Sequence, residues 1–131
     1  MAPTPSHRIM LIEDDADDQY FFMDALGTIE GDFSWKIAQN GVEALKHLGN
    51  GELPSLIFLD LNMPLMNGYE CLNQIRNSAA KDIPIVVIST STNPRDKKRV
   101  EELGAQVFIE KSSDHKKLRV QLADIFRTFL I

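Results

Sequence analysis

The sequence has little that would cross-link it, insert it in a membrane or attract it to nucleic acid. Its single cysteine, Cys71, excludes an internal disulfide and a cysteine metal cluster. The longest apolar runs, such as residues 56–59 and 85–88, are far shorter than the ~20 residues that span a bilayer. Fourteen basic against nineteen acidic side chains give a net charge of −5, which disfavours general binding to nucleic acid or anionic membranes. The N-terminus also lacks the basic start and apolar run of a secretion signal, so we expect a cytoplasmic protein.

What the sequence does contain is the composition of an ordinary globular domain. Apolar residues make up 44% and charged residues 25% of the 131 positions. That length predicts one domain with a substantial core. Residues 1–7, which include two prolines and show no periodicity, are predicted to form a flexible tail. The domain is therefore expected to cover residues 8–131.

Short apolar runs alternate with helical patterns along this domain. The predicted strands cover residues 9–12, 34–38, 56–59, 85–88 and 107–109, and the predicted helices residues 16–29, 42–48, 69–76, 95–103 and 114–130. Because most of these runs are apolar without alternation, they indicate strands covered on both faces, in a parallel sheet between two helical layers. With right-handed crossovers, we expect a doubly wound α/β fold, a flavodoxin-like (βα)5 sheet with strand order 2-1-3-4-5.

Polar side chains follow four of the predicted strands. They are three carboxylates, a hydroxyl and one cation: Glu13 and Asp14 after the first strand, Asp60 after the third, Ser89 after the fourth and Lys111 after the fifth. The carboxyl ends of parallel strands meet at one edge of a sheet, where open α/β folds bind their ligands. Three clustered carboxylates repel each other, and one lysine cannot neutralise them. A set of oxygen ligands without histidine or cysteine therefore predicts a Mg²⁺ site.

Asp60 is a candidate nucleophile towards phosphorus at this edge. A carboxylate with a pKa near 3.9 is ionised at neutral pH and needs no general base. Mg²⁺ and Lys111 would neutralise charge on the moving phosphoryl group, and Ser89 could donate a hydrogen bond to it.

Four segments resemble the receiver domains of bacterial two-component response regulators, and the resemblance extends from about Arg8 to Phe129. The segments are Leu11–Asp15, Leu59–Pro64 with Gly68, Pro84–Ser89, and Gly104 with Phe108–Lys111. Because the sequence ends with the fifth predicted helix, we expect a stand-alone receiver without an output domain.

The resemblance implies a phosphoryl acceptor and a metal site. Asp60 matches the aspartate that takes a phosphoryl group from a histidine kinase in a Mg²⁺-dependent reaction and contributes to the metal site. Asp14 matches the direct Mg²⁺ ligand, Glu13 the acid that holds the ion through water, and Asn62 the residue whose backbone carbonyl binds the metal.

The resemblance also implies a switch. Lys111 matches the lysine that contacts the phosphoryl group, and Ser89 the switch hydroxyl. Phe108 matches the aromatic residue that turns inward when that hydroxyl moves. We expect the output to be altered protein–protein contact, with no small-molecule turnover. The implied partners are a histidine kinase, a histidine phosphotransfer protein, or both, together with an unidentified downstream protein, and the chain is expected to be a monomer or a weak homodimer.

Two positions depart from the family pattern. Thr90 stands where a very small residue is usual and could narrow access to Asp60. Ser112 replaces the proline that commonly follows the lysine, so the loop there could differ. These departures leave open a pseudo-receiver that binds partners without phosphorylation. A Mg²⁺-dependent phosphatase with an aspartyl-phosphate intermediate is less well supported, because Asn62 stands where such enzymes carry a second acid.

Several charged residues have a structural interpretation. Asp17 and Asp18 are interpreted as acids that favour the start of a helix through its dipole. Arg95 and Arg99, with the lysines between them, are interpreted as the solvated face of the fourth helix.

Overall fold

Five strands alternate with five helices in the computed structural model, which describes residues 7–50, 53–63 and 66–130. The strands are β1 (His7–Ile12), β2 (Phe33–Ala38), β3 (Leu56–Asp60), β4 (Ile85–Ser89) and β5 (Val107–Glu110). The helices are α1 (Ala16–Leu26), α2 (Gly41–Leu48), α3 (Gly68–Arg76), α4 (Pro94–Glu102) and α5 (His115–Phe129). None of the helices in these ranges is long and apolar enough to cross a bilayer. Residues 1–6 of the predicted tail lie outside the described residues, whereas His7, the last residue of that predicted tail, is the first residue of β1. Pro64 of the segment Leu59–Pro64 also lies outside the described residues.

All neighbouring strands pair in parallel, in the order β2-β1-β3-β4-β5. Leu11, for example, lies between Ile37 of β2 and Phe58 of β3. This confirms the predicted fold class and strand order. The chain leaves β1 towards one edge of the sheet to form β2 and returns to the other side of β1 to form β3. The carboxyl ends of β1 and β3 therefore flank the switch in strand order.

The sheet is covered on both faces because its apolar side chains alternate between two buried clusters. Ile9 and Leu11 of β1 pack with residues of α1 and α5, whereas Met10 and Ile12 pack with residues of α2, α3 and α4. The central strands β3 and β4 are buried along their whole length. An uninterrupted apolar run is thus the pattern that a strand between two helical layers requires.

The strands β3, β4 and β5 each extend one residue beyond the predicted apolar run. Asp60 pairs with Ile88, and Ser89 pairs with Glu110, so these polar residues still belong to the ladder. As a result Asp60 and Ser89 are only 3% and 1% exposed. The backbone of the sheet carries both side chains to the same edge.

The helices begin at side-chain caps and differ from the predicted bounds at their ends. Asp15, Asn40, Asn67, Asn93 and Asp114 each accept a backbone N–H in the first turn of the helix that follows. The helix predicted over residues 16–29 ends at Leu26 because the amides of residues 28 and 29 donate to carbonyls three residues earlier.

Gly68 brings the start of α3 against the end of β3. Its amide donates to the Leu61 carbonyl over 2.8 Å. A Cβ at this position would lie 2.5 Å from Leu61 Cα and 2.9 Å from the Asp60 carbonyl oxygen. The loop after Asp60 can close only because residue 68 has no side chain.

Candidate functional site

Three carboxylates meet where β1 and β3 end. Oxygen atoms of Glu13, Asp14 and Asp60 all lie within 4.8 Å of one another. Glu13 is 4% exposed and Asp60 3%, whereas Asp14 is exposed to solvent. Oxygen-only ligands at this spacing fit a hard dication such as Mg²⁺, which can keep several of its waters on the exposed side. The acids that the sequence predicted to converge do lie together.

Burial makes the charge on Glu13 costly. It raises the pKa of Glu13 to about 8; the Lys111 ammonium opposes this shift, and the neighbouring Asp60 carboxylate adds to it. Without a metal, the folded protein therefore holds a proton on this carboxyl group more tightly than an exposed glutamate does. A cation that binds the cluster would displace that proton.

Lys111 lies at the mouth of the same cluster and contacts three carboxylates. Its ammonium is 2.9 Å from Glu13 Oε1, 2.9 Å from Asp18 Oδ2 and 3.4 Å from Asp60 Oδ1. Burial alone would lower the pKa of Lys111, but the hydrogen bonds to Glu13 and Asp18, together with the negative charges of Asp60 and Glu13, outweigh it, so the pKa lies above its ordinary value. The ammonium is therefore a permanent positive charge beside Asp60.

The backbone of the sheet places Lys111 and Ser89 side by side. The Lys111 amide donates to the Ser89 carbonyl over 2.7 Å. The Ser89 hydroxyl oxygen accepts the Ser91 amide over 3.1 Å, and a hydroxyl that accepts a hydrogen bond can still donate its own O–H. Ser89 ends β4 and Lys111 follows β5, so both residues lie at the carboxyl edge of the sheet, near the end of β3.

Of the remaining predicted residues, Asn62 contacts the cluster, Thr90 lies near it, and Phe108 packs against the core. The Asn62 amide donates to Asp60 Oδ1 over 3.3 Å, and Asn62 itself is exposed. Phe108 is half-buried against the core on the α2–α4 face. Thr90 is exposed and, with Ser112, lines a cavity of about 460 Å³ beside Lys111. The described backbone contains no cis peptide bond, including at Ser112.

The interpretation of Asp18 as a helix-start acid alone was incomplete. Its carboxylate pairs with Lys111, so it belongs to the rim of the site although it lies outside the three-acid cluster. Asp18 lies in the first turn of α1, four residues after Asp14 in the sequence. That spacing was the available signal, but the contact depends on the position of β5, which the local pattern does not show.

A second group of residues was also missed by sequence reasoning. Asp96 of α4 accepts hydrogen bonds from Tyr69 of α3, over 2.9 Å, and from Ser91 of the loop after β4. The Arg99 guanidinium stacks on the Tyr69 ring, 3.9 Å from its centre. Arg99 is therefore not simply part of a solvated face. These contacts join the loop that follows Ser89 to two helices.

Comparison with known proteins gives a consistent assignment. The family model described as "Response regulator receiver domain" matches residues 9–123. The response regulator Rcp1 of Synechocystis sp. is 35% identical over 121 residues, covering 87% of this chain and 82% of Rcp1. Other curated relatives, at 33% and 34% identity, are much longer, and the chain spans only 23% and 24% of their length.

Solved structures agree with this assignment. The phosphorylated cyanobacterial phytochrome response regulator RcpA superposes with a TM-score of 0.85 at 31% identity, covering 95% of this chain and 94% of RcpA. The Mn²⁺-bound form of Rcp1 superposes with a TM-score of 0.83 at 32% identity and the same coverage of both chains. Both likenesses extend over the whole sheet and its helices.

Proposed function

The chain belongs to the response regulator receiver family, and from that premise we propose that Asp60 is the residue that accepts its phosphoryl group. The observation that carries this proposal is a buried carboxylate that lies beside a lysine ammonium and within a cluster of acids able to hold a cation. Asp60 lies 3.4 Å from the Lys111 ammonium and within 4.8 Å of the carboxylates of Glu13 and Asp14. Glu13 shares both neighbours, so the choice of Asp60 rests on its match to the phosphoryl-accepting aspartate of the receiver family.

Mg²⁺ is the proposed cofactor. Asp14 and Asp60 would hold it with their carboxylates, Glu13 through water, and Asn62 with its backbone carbonyl. When bound, the ion supplies positive charge that neutralises the cluster and the phosphoryl oxygens. The clustering of these oxygens and the Mn²⁺-bound form of the relative Rcp1 support the assignment.

In the proposed reaction a carboxylate oxygen of Asp60 attacks the phosphorus of a phosphohistidine. The new bond is the P–O bond of an acyl phosphate, the P–N bond breaks, and the freed imidazole nitrogen regains a proton from solvent. Asp60 loses no proton, so the site needs no general base. Lys111 donates a hydrogen bond to an oxygen of the arriving group, which stabilises its charge.

Ser89 and Phe108 are the proposed switch residues. The O–H of Ser89 can donate to a phosphoryl oxygen on Asp60, and a movement of Ser89 would disturb the bond to Ser91. Half-buried Phe108 lies on β5, which pairs with β4, and can change its packing when the loop that contains Ser91 moves. Thr90 would control access to Asp60 from the exposed side.

The proposed output is protein–protein contact without small-molecule turnover. Partners of the proposed receiver are a histidine kinase or a histidine phosphotransfer protein, and a downstream protein that reads the changed surface. The chain would act in the cytoplasm as a monomer or weak homodimer. The composition and charge of the sequence support neither a nucleic-acid nor a membrane partner.

The test of this function is phosphorylation by acetyl phosphate. We expect intact-mass spectra and phosphate-affinity gels to show one phosphoryl group per chain, which Asp60→Asn or removal of Mg²⁺ by a chelator abolishes. Asp17→Asn makes the same change of charge nearby, outside the acid cluster, and should retain the modification. A wild-type protein that takes no phosphoryl group would favour the pseudo-receiver, and steady hydrolysis of a phosphomonoester would favour the phosphatase.

A further inference from the structure

We propose that Asp18 is a positioning residue that keeps the Lys111 ammonium beside Asp60 when the metal site is loaded. The proposal deepens the proposed function, on which it rests. Asp18 does not touch the reacting atoms itself and acts only through Lys111.

The contact distances show what Asp18 contributes. Lys111 Nζ is 2.9 Å from Asp18 Oδ2, as close as it is to Glu13 Oε1, whereas its distance to Asp60 Oδ1 is 3.4 Å. A lysine ammonium has three N–H donors and therefore can serve all three carboxylates at once. The two shorter contacts, with Glu13 and Asp18, hold the ammonium in place, and Asp60 is slightly farther from it.

Loading the metal site changes the balance among these contacts. Glu13 and Asp60 belong to the cluster that would hold the dication, so their negative charge would be shared with it. The same dication would repel the ammonium of Lys111. Asp18 lies outside the three-acid cluster and keeps its full charge. Three carboxylates of the described residues contact Lys111. Asp18 is the one that lies outside the metal cluster, so it can still pair with the ammonium when a metal is bound.

Hydrogen bonds hold the backbone that carries Asp18. The Asp18 amide donates to Asp15 Oδ1 over 3.0 Å, which caps the first turn of α1. The next residue, Gln19, donates through its side-chain amide to the Glu13 carbonyl over 2.7 Å. The first turn of α1 is thereby tied to the end of β1. The Asp18 side chain is 47% exposed, so solvent screens the pair and the expected effect is moderate.

The first measurement is the rate of phosphorylation by acetyl phosphate at saturating Mg²⁺. Asp18→Asn should lower this rate about five-fold, because the uncharged side chain holds the ammonium weakly. Asp17→Asn is the matched control, since it removes the same charge from the same helical turn, and its rate should stay within about two-fold of wild type. Asp18→Glu, which restores the charge, should recover part of the loss.

A double-mutant cycle with Lys111→Gln tests whether Asp18 acts through the lysine. In that background Asp18→Asn should cause no further loss, because the charge it positions is gone. An equal loss in both backgrounds would contradict the proposal. So would a rate in Asp18→Asn that equals the Asp17→Asn rate or exceeds the wild-type rate.

The order of the Lys111 side chain is a readout that does not need phosphorylation. Carbon-13 relaxation of its Cε methylene, at saturating Mg²⁺, should show greater mobility in Asp18→Asn than in wild type or Asp17→Asn. Unchanged mobility would overturn the positioning role, even if the protein is phosphorylated normally. If the wild type takes no phosphoryl group and Lys111 is nevertheless released by Asp18→Asn, the proposed function fails and the positioning role stands.

Discussion

The loop that follows Asp60 requires a residue without a Cβ at position 68. A Cβ at this position would meet backbone, namely Leu61 Cα at 2.5 Å and the Asp60 carbonyl oxygen at 2.9 Å. Backbone atoms of a central strand cannot move aside as the end of a side chain can. The loop between β3 and α3, which carries Asn62, therefore depends on glycine.

We predict that Gly68→Ala lowers the free energy of unfolding by about 1–3 kcal/mol, the usual cost of overpacking a filled site. Urea unfolding followed by circular dichroism measures the change. Gly49→Ala is the matched control: a Cβ there would meet only carbonyl oxygens of its own helix at 3.5 Å, with φ at −76°. It should be neutral or slightly stabilising, and equal losses in the two variants would contradict the steric explanation.

At the scale of elements, a polar network joins α3, α4 and the loop after β4. Asp96 accepts from Tyr69 and Ser91, and these hydrogen bonds lower the pKa of Asp96. Burial raises the pKa of Tyr69, and the carboxylate of Asp96 raises it further. Ser91 also donates its amide to Ser89. The first turn of α4 is therefore connected to the proposed switch hydroxyl through two residues.

We predict that Tyr69→Phe loosens this connection without unfolding the protein. The ring that stacks under Arg99 remains, but the hydroxyl that holds Asp96 is lost. Amide hydrogen exchange should become about three- to ten-fold faster over residues 91–97 and stay unchanged in α1. Tyr20→Phe is the control, because Tyr20 is 75% exposed and lies on α1. Unaltered exchange at the start of α4 would show that the network does not restrain it.

At the scale of the whole molecule, the buried Glu13 couples folding to proton and metal binding. Its pKa is about 8 in the folded, metal-free protein, against an ordinary value of 4.5. A group whose pKa is raised by folding binds its proton more tightly in the folded state. Its contribution to stability is therefore complete below pH 4.5 and is lost as the pH rises through 8.

We predict that Mg²⁺ affinity rises with pH between 6 and 8, since the ion must displace the Glu13 proton. Isothermal calorimetry in buffers of different ionisation enthalpy should show proton release on binding. The stabilisation by Mg²⁺, measured as a shift in melting temperature, should increase over the same range. Glu13→Gln, which has no proton to lose, should flatten the pH dependence, and an affinity that falls with rising pH would refute the linkage.

Much of the architecture could be predicted before any tertiary contact was known. The apolar runs ending at Ile12, Leu59 and Ile88 predicted central strands, and these strands are buried on both faces. The helix ends were less predictable: α1 ends at Leu26 rather than at residue 29, because local turns compete with the helix there. The convergence of Glu13, Asp14, Asp60 and Lys111 followed from the direction of parallel strands, although their proposed roles remain to be tested.

The sequence by itself determined the order of the elements, the parallel sheet and the edge at which the acids collect. These properties follow from periodicity and chain direction, which are local. Only the tertiary structure decided that Asp18 pairs with Lys111, that Tyr69 and Ser91 share Asp96, and that burial raises the pKa of Glu13. Hydrogen bonds and desolvation depend on distances of a few ångströms between separate elements, and such distances are set only when the helices pack on the sheet.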